Sequence, residues 1–159
     1  MRKLLILFLM VFTGLNMFTG DVVITVSDLT WGENNELEVS MTNDVDVNGF
    51  QMDVVLPDGL SFSSVKGRIE PIATERLEGM TVMCSAMAGG KYRFVVFSLS
   101  GKKVLDKEGV IMRIPLKEKE SMSKGKYDVR VFNASASVSI DGKMEAAKIS
   151  SSSSIIEIR

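Results

Sequence analysis

The side chains that most often perform catalysis at neutral pH are scarce in this sequence of 159 residues. Histidine is absent, and Cys84 is the single cysteine. The chain therefore lacks the commonest general base and the commonest zinc ligand, and it cannot form a Ser-His-Asp or Cys-His site by itself. The sequence predicts a protein that is not an enzyme and that binds no cofactor or metal ion.

Carboxylate pairs are the remaining source of chemistry, because glycoside hydrolysis needs only two such groups. The candidates for such a pair are Asp53, Asp106, Glu108 and Asp128. Nothing in the sequence places two of them across a cleft, so we interpret them as solvated strand or loop charges. The segment Asp44-Val45-Asp46 lacks the glycine and distal glutamate of an EF-hand loop, and a hydrogen-bonded turn is the favoured interpretation over a calcium site.

Trp31 is the sole tryptophan and follows Thr30 beside a turn at Gly32. An aromatic ring in a loop can stack on the face of a sugar, which makes Trp31 a candidate for carbohydrate binding. The alternative is that its ring packs as a lid on the edge of the core, and this interpretation is favoured.

The first twenty residues have the pattern of a secretory signal peptide. Met1-Arg2-Lys3 supplies positive charge, and the unbroken apolar run of residues 4–12 is too short for a membrane span of about 20 residues. We expect residues 21–159 to form one domain that is secreted or extracytoplasmic, in the periplasm or at the cell surface, with no membrane span after cleavage. Without Arg2 and Lys3, the 19 basic residues fall to 17 against 20 acidic ones, a net charge of −3. This weakly negative charge gives no reason to expect a nucleic acid partner.

The remaining sequence is dominated by short stretches with period-two alternation. Residues 36–42 place Leu37, Val39 and Met41 on one face, and residues 50–56 alternate in the same way. Pro57-Asp58-Gly59 ends that stretch with residues typical of a turn. No long stretch carries apolar residues at helical spacing. The pattern predicts an all-β fold, a two-sheet antiparallel sandwich with jelly-roll topology and about nine strands.

Alternation also predicts which side chains point away from the core. In the first strand, Gln51, Asp53 and Val55 point to the side away from Phe50. In the second, Arg93, Val95 and Phe97 point to the side away from Phe94. A sheet face that mixes apolar and charged side chains would suit a protein partner. The alternative is that both faces of these strands are covered, and the sequence leaves the two possibilities open.

The passage VNGFQMDVVLPDGL, residues 47–60, resembles cohesin-like domains of bacterial secreted proteins. Residues 92–98, 109–114 and 125–129 extend the resemblance over most of the chain. It implies a nine-stranded jelly roll, a fold shared with carbohydrate-binding modules, and a function in which cohesins bind dockerins through one sheet face. On this chain it points to residues 51–55 and 93–97. We therefore expect a non-catalytic binding or scaffolding module with a dockerin-like or other cell-surface protein partner; the alternative is a carbohydrate-binding module that binds a polysaccharide.

Overall fold

The computed structural model describes residues 21–33 and 35–159, and in these ranges the chain forms thirteen β-strands and a short 3-10 turn at Glu75–Leu77. The strands are β1 Val22–Val26, β2 Leu29–Thr30, β3 Glu36–Asn43, β4 Asp46–Val55, β5 Leu60–Phe62, β6 Ile72–Ala73, β7 Thr81–Met87, β8 Lys91–Phe97, β9 Val110–Glu118, β10 Gly125–Ile140, β11 Lys143–Lys148, β12 Ser150–Ser151 and β13 Ser154–Ile158.

The strands form two sheets that pack face to face. The first sheet has the order β12-β1-β3-β9-β5, with β6 also paired to β9. The second has the order β2-β13-β10-β4-β8-β7, with β11 also paired to β10. Pairing is antiparallel except between β1 and β12 and between β13 and β2. The predicted all-β sandwich is confirmed, and the four strands beyond the predicted nine each have only two or three residues.

The core lies between the sheets and contains the residues that alternation assigns to it. Leu37, Val39 and Met41 on β3 have no exposed surface. Phe62 packs edge-on against two aromatic rings of β8, with centroid distances of 4.8 Å to Tyr92 and 5.4 Å to Phe94. Where a longer strand such as β3 buries alternate side chains against the opposite sheet, the same pattern fixes its outward face.

Strand β10 combines two alternating stretches of the sequence, residues 126–132 and 135–140. It is one strand of 16 residues whose two halves pair with β13 and β11. A bulge between Phe132 and Ser135 contains Asn133, whose backbone φ is 50°. The bulge inserts one extra residue opposite β4. Phe132 before the bulge and Ser135 after it therefore point to the same, outward side of the sheet.

Arg76, in the 3-10 turn, is buried and anchors the loop between β8 and β9. Its Nε donates a hydrogen bond to the Leu105 carbonyl, and its two terminal nitrogens donate to the Met41 and Gly109 carbonyls and to Asn43 Oδ1 at 2.7–2.9 Å. A fifth hydrogen bond reaches the Asp106 carbonyl at 3.2 Å. All five N–H groups of the guanidinium are thus used, and burial lowers its pKa.

Candidate functional site

Four adjacent strands, β10, β4, β8 and β7, present one continuous side of the second sheet, which we call the outer face. The antiparallel register sets Gln51 on β4 beside Val95 on β8, and Val95 beside Met83 on β7. On β8 the inward Phe94 and Val96 are buried, while Val95 is only half-buried. The structure therefore brings six of the predicted site residues together on this face: Gln51, Asp53, Val55, Arg93, Val95 and Phe97.

Asp53 occupies the predicted face, but the expectation that it is available to a partner needs correction, because only 1% of its surface is exposed. Arg93 donates hydrogen bonds to both of its oxygens, from Nε to Oδ1 at 2.7 Å and from Nη2 to Oδ2 at 2.8 Å. Asn133, in the bulge of β10, donates a further hydrogen bond to Oδ2 at 3.0 Å. Three hydrogen bonds thus hold the carboxylate, and Asp53 orients the Arg93 side chain instead of offering its own charge to solvent.

The hydrogen bonds from Arg93 are the largest influence on the pKa of Asp53 and hold it below the usual value for an aspartate, although burial acts in the opposite direction. The same contact raises the pKa of Arg93. Both groups are therefore charged at neutral pH. An ionised carboxylate cannot act as a general acid, so Asp53 does not fit the proton-donating role in glycoside hydrolysis.

A shallow depression of about 400 Å³ lies over β4 on the outer face, between β8 and β10. Gly49 forms part of it, and its rim includes Phe97 on one side and Ser135 and Ser137 on the other. A Cβ atom at Gly49 would lie 2.8 Å from the Val96 carbonyl oxygen, closer than packing allows. Glycine at this position thus permits the close approach of β4 to β8. Because it has no side chain, it also forms the floor of the depression between the side chains of β8 and β10.

Three further residues widen this face beyond the six candidates. Met83 on β7 is 53% exposed, and Phe132 on β10 is half-buried beside Asp53. Arg130, which is exposed, lies opposite Val55 and adds positive charge at one end. The alternation in β7 and β10 indicates their outward positions, but only the pairing with β8 and β4 shows that they adjoin the candidate residues.

Trp31 lies apart from the other six candidates. It follows β2 at the opposite end of the sheet, separated from β4 by β13 and β10. Its ring is half-buried against the core, and its backbone N–H donates a hydrogen bond to the Glu157 carbonyl at 2.8 Å. This placement agrees with the interpretation of Trp31 as a lid on the edge of the core.

In the segment Asp44-Val45-Asp46, the carboxylate of Asp46 forms ion pairs with two lysines. Lys103 Nζ lies 2.7 Å and Lys107 Nζ 3.7 Å from the Asp46 carboxylate, and these contacts, led by the Lys103 hydrogen bond, lower the pKa of Asp46. Residues 21–33 and 35–159 contain no cluster of three or more acidic, cysteine or histidine side chains placed to bind a metal ion.

Within residues 21–33 and 35–159, no helix has the length and apolar character that a membrane crossing requires. The predicted signal peptide, residues 1–20, lies outside the described residues.

Comparison with solved structures identifies the fold. The chain is similar to the seventh ScaB type I cohesin from Pseudobacteroides cellulosolvens, with 19% identity, a TM-score of 0.68 and coverage of 87% of this chain and 92% of that one. It is also similar to a non-cellulosomal cohesin from Archaeoglobus fulgidus, with 9% identity, a TM-score of 0.66 and coverage of 87% and 91%.

A third similar structure is the Coh-OlpA-Doc918 cohesin–dockerin complex from Clostridium thermocellum, with 12% identity, a TM-score of 0.65 and coverage of 87% and 99%. No protein-family model and no curated protein matches the sequence. These likenesses show that the described part of the chain, residues 21–33 and 35–159, has the cohesin fold.

Proposed function

We propose that this protein is an exported, non-catalytic module that binds a protein partner through the outer face of its second sheet. The observation that supports this most strongly is the continuity of that face across four strands. Val95, Phe97 and Met83 supply apolar surface around the depression at Gly49, and Arg93 is fixed beside them. An apolar centre with oriented charges around it is the arrangement that protein interfaces share.

The similar structures and the shape of the face support one class of partner. The Clostridium thermocellum structure is a complex of a cohesin with a dockerin, so a dockerin-like module is the partner proposed for this chain. An apolar side chain of the partner would enter the depression at Gly49. Acidic side chains of the partner would lie at the opposite end, where Lys91 and Arg130 flank Val55 in the register.

The proposal is tested by affinity capture with the immobilised protein, first from the exported proteins of the source organism and then with a panel of purified dockerin modules. The variant Val95→Asp places an uncompensated charge at the centre of the face and should weaken binding by at least about tenfold, which corresponds to about 1.4 kcal/mol. The matched control is Val65→Asp, at a position that is 59% exposed and outside the four strands. Equal binding by both variants, measured by titration calorimetry, would refute the assignment of the face.

A carbohydrate-binding function is the second candidate from the sequence, and it is not favoured. Trp31 is half-buried at the far end of the sheet and does not form a common stacking platform with Phe97. A glycan array and Trp31 fluorescence titrations with soluble polysaccharides test this function directly. We expect no signal from either measurement.

The charge and apolar pattern of residues 1–20 supports export of the protein. Mass spectrometry of the protein recovered from the source organism tests this part of the proposal. We expect the mature N-terminus near residue 21 and recovery outside the cytoplasm. Recovery of the uncleaved chain in the cytoplasm would contradict export without affecting the binding face.

A further inference from the structure

Strand β7 forms one end of the second sheet and has a free edge. Its residues pair in register with β8, from Thr81 beside Phe97 to Met87 beside Lys91. Five of its seven residues are exposed. Among residues 21–33 and 35–159, no hydrogen bond joins the outer edge of β7 to another segment. A cavity of about 560 Å³ separates Val82, Met83 and Cys84 from residues 68–71, and the N–H and C=O groups along that edge are free to pair with a further strand.

This edge is unlike the other edges of the two sheets. Strands β2, β6 and β12 have two residues each and β5 has three, so they offer little backbone for pairing. Strand β11 has six residues, but three of them are charged: Lys143, Glu145 and Lys148. Charges and short length are the usual protection against unwanted strand pairing. By contrast, β7 has seven residues, Thr81–Met87, without a charge or a proline.

We propose that β7 pairs antiparallel with β7 of a second copy of this chain, about a two-fold axis that passes beside Cys84. Cys84 is the central residue of the strand, so this register uses all seven residues. On the outer side it places Met83 opposite Ser85 of the second copy, and Thr81 opposite Met87. On the inner side it places Val82 opposite Ala86.

The side chains of β7 favour a second copy as the occupant because they complement themselves about that axis. Cys84 faces its own copy at the axis, and each of the other facing pairs combines a larger side chain with a smaller one: methionine with serine, methionine with threonine, and valine with alanine. No like charges face one another, since the strand carries none. A two-fold interface requires this kind of self-complementarity, in which one patch serves both partners.

The dimer joins two second sheets into one continuous sheet and sets two outer faces side by side. Seven paired residues bury less surface than the 1,200 Å² or so that marks a stable interface, so the dimer is expected to be weak and to depend on protein concentration. If the outer faces bind a partner, the dimer would present two such faces together and would strengthen attachment to a surface that carries several partner modules.

The first experiment measures self-association of the protein by sedimentation equilibrium over a range of concentrations. We expect a monomer–dimer equilibrium with a dissociation constant in the micromolar range or weaker. Met83→Lys sets like charges near one another across the axis and should weaken the dimer by at least tenfold. Leu99→Lys is the matched control, because Leu99 is 94% exposed and lies outside β7. A protein that remains monomeric, a larger assembly that does not stop at the dimer, or equal effects of the two variants would each overturn the proposal.

The second experiment tests the register. Two proteins are prepared with Cys84→Ser, one with Met83→Cys and the other with Ser85→Cys, and oxidised glutathione serves as the oxidant. Each cross-link forms one S–S bond between the copies, while the glutathione disulfide is reduced to two thiols. In the proposed register the mixture forms cross-linked heterodimers in clear excess over either protein alone. Equal cross-linking in all three samples, or none, would overturn the register and with it the two-fold pairing.

Discussion

Replacement of Arg76 by methionine should destabilise the protein severely, although Arg76 lies outside the outer face. The guanidinium donates five hydrogen bonds, and two of the acceptors are fully buried: the Met41 carbonyl and Asn43 Oδ1. The other three acceptors, on Leu105, Asp106 and Gly109, are partly buried and can regain water when the loop relaxes.

The magnitude follows from the two buried acceptors. A buried polar group that loses its partner costs about 1–3 kcal/mol, so two of them cost about 2–6 kcal/mol. Removal of a buried charge returns part of this cost, while release of the β8–β9 loop adds to it. We therefore expect a loss of about 3–5 kcal/mol in the free energy of unfolding, a large part of the 5–15 kcal/mol that is typical of a domain.

The assay is equilibrium unfolding in urea, followed by the fluorescence of the single tryptophan, Trp31. Arg113→Met is the matched control. Arg113 has a single ion pair with Glu38 at 2.8 Å, and both side chains are partly exposed, so its loss should cost less than about 1 kcal/mol. Arg76→Lys keeps the positive charge but supplies three donors instead of five, and it should recover only part of the lost stability. A loss below about 1 kcal/mol for Arg76→Met would refute the reasoning.

Three further outcomes are expected. The pKa of Asp53 is lower in the folded state than in the unfolded state. The ionised carboxylate therefore stabilises the fold above the unfolded pKa of about 3.9, and this stabilisation is lost as the pH falls through the folded value. Urea unfolding should show that Asp53→Asn is less stable than the unmodified protein at pH 7 and that the difference disappears in acid. Gly49→Ala should cost about 1–3 kcal/mol by the same assay, because its Cβ would meet the Val96 carbonyl oxygen at 2.8 Å. Burial raises the pKa of Cys84 to about 12, so its reaction with an aromatic disulfide reagent at pH 8 should be at least about 100-fold slower in the folded protein than in concentrated urea. Equal rates in the two states would contradict the half-buried position of Cys84.

Much of the outer face could be predicted from the sequence, because alternation assigns each strand residue to one of two sides. Alternation predicted that Val95 and Phe97 lie on the side of β8 away from Phe94. In the structure Phe94 is buried in the core, while Val95 and Phe97 are half-buried on the outer side. The burial of Asp53 could not be predicted, since it depends on Arg93, which is 40 residues away, and on Asn133, which is 80 residues away. Alternation describes one strand at a time and carries no information about which strand lies beside it.

The same limit explains why the predicted site was incomplete. The place of Thr81–Met87 at the end of the second sheet depends on its pairing with β8. Met83 became part of the outer face only through this pairing. Phe132 and Ser135 share the outward side because a bulge between them inserts one residue. Nothing in the residue types around Asn133 specifies that the strand continues past the bulge instead of ending there.

By itself, the sequence determined the class of the fold and the residues of its core, because the period of apolar side chains in a strand reflects local backbone geometry. The absence of histidine removed whole classes of catalytic site in the same direct way. The tertiary structure alone decided which strands adjoin, which charge is buried beside Arg93, and which edge of the sheets is left open. These features arise from contacts between distant parts of the chain, where the balance of burial, pairing and charge is settled only when the two sheets come together.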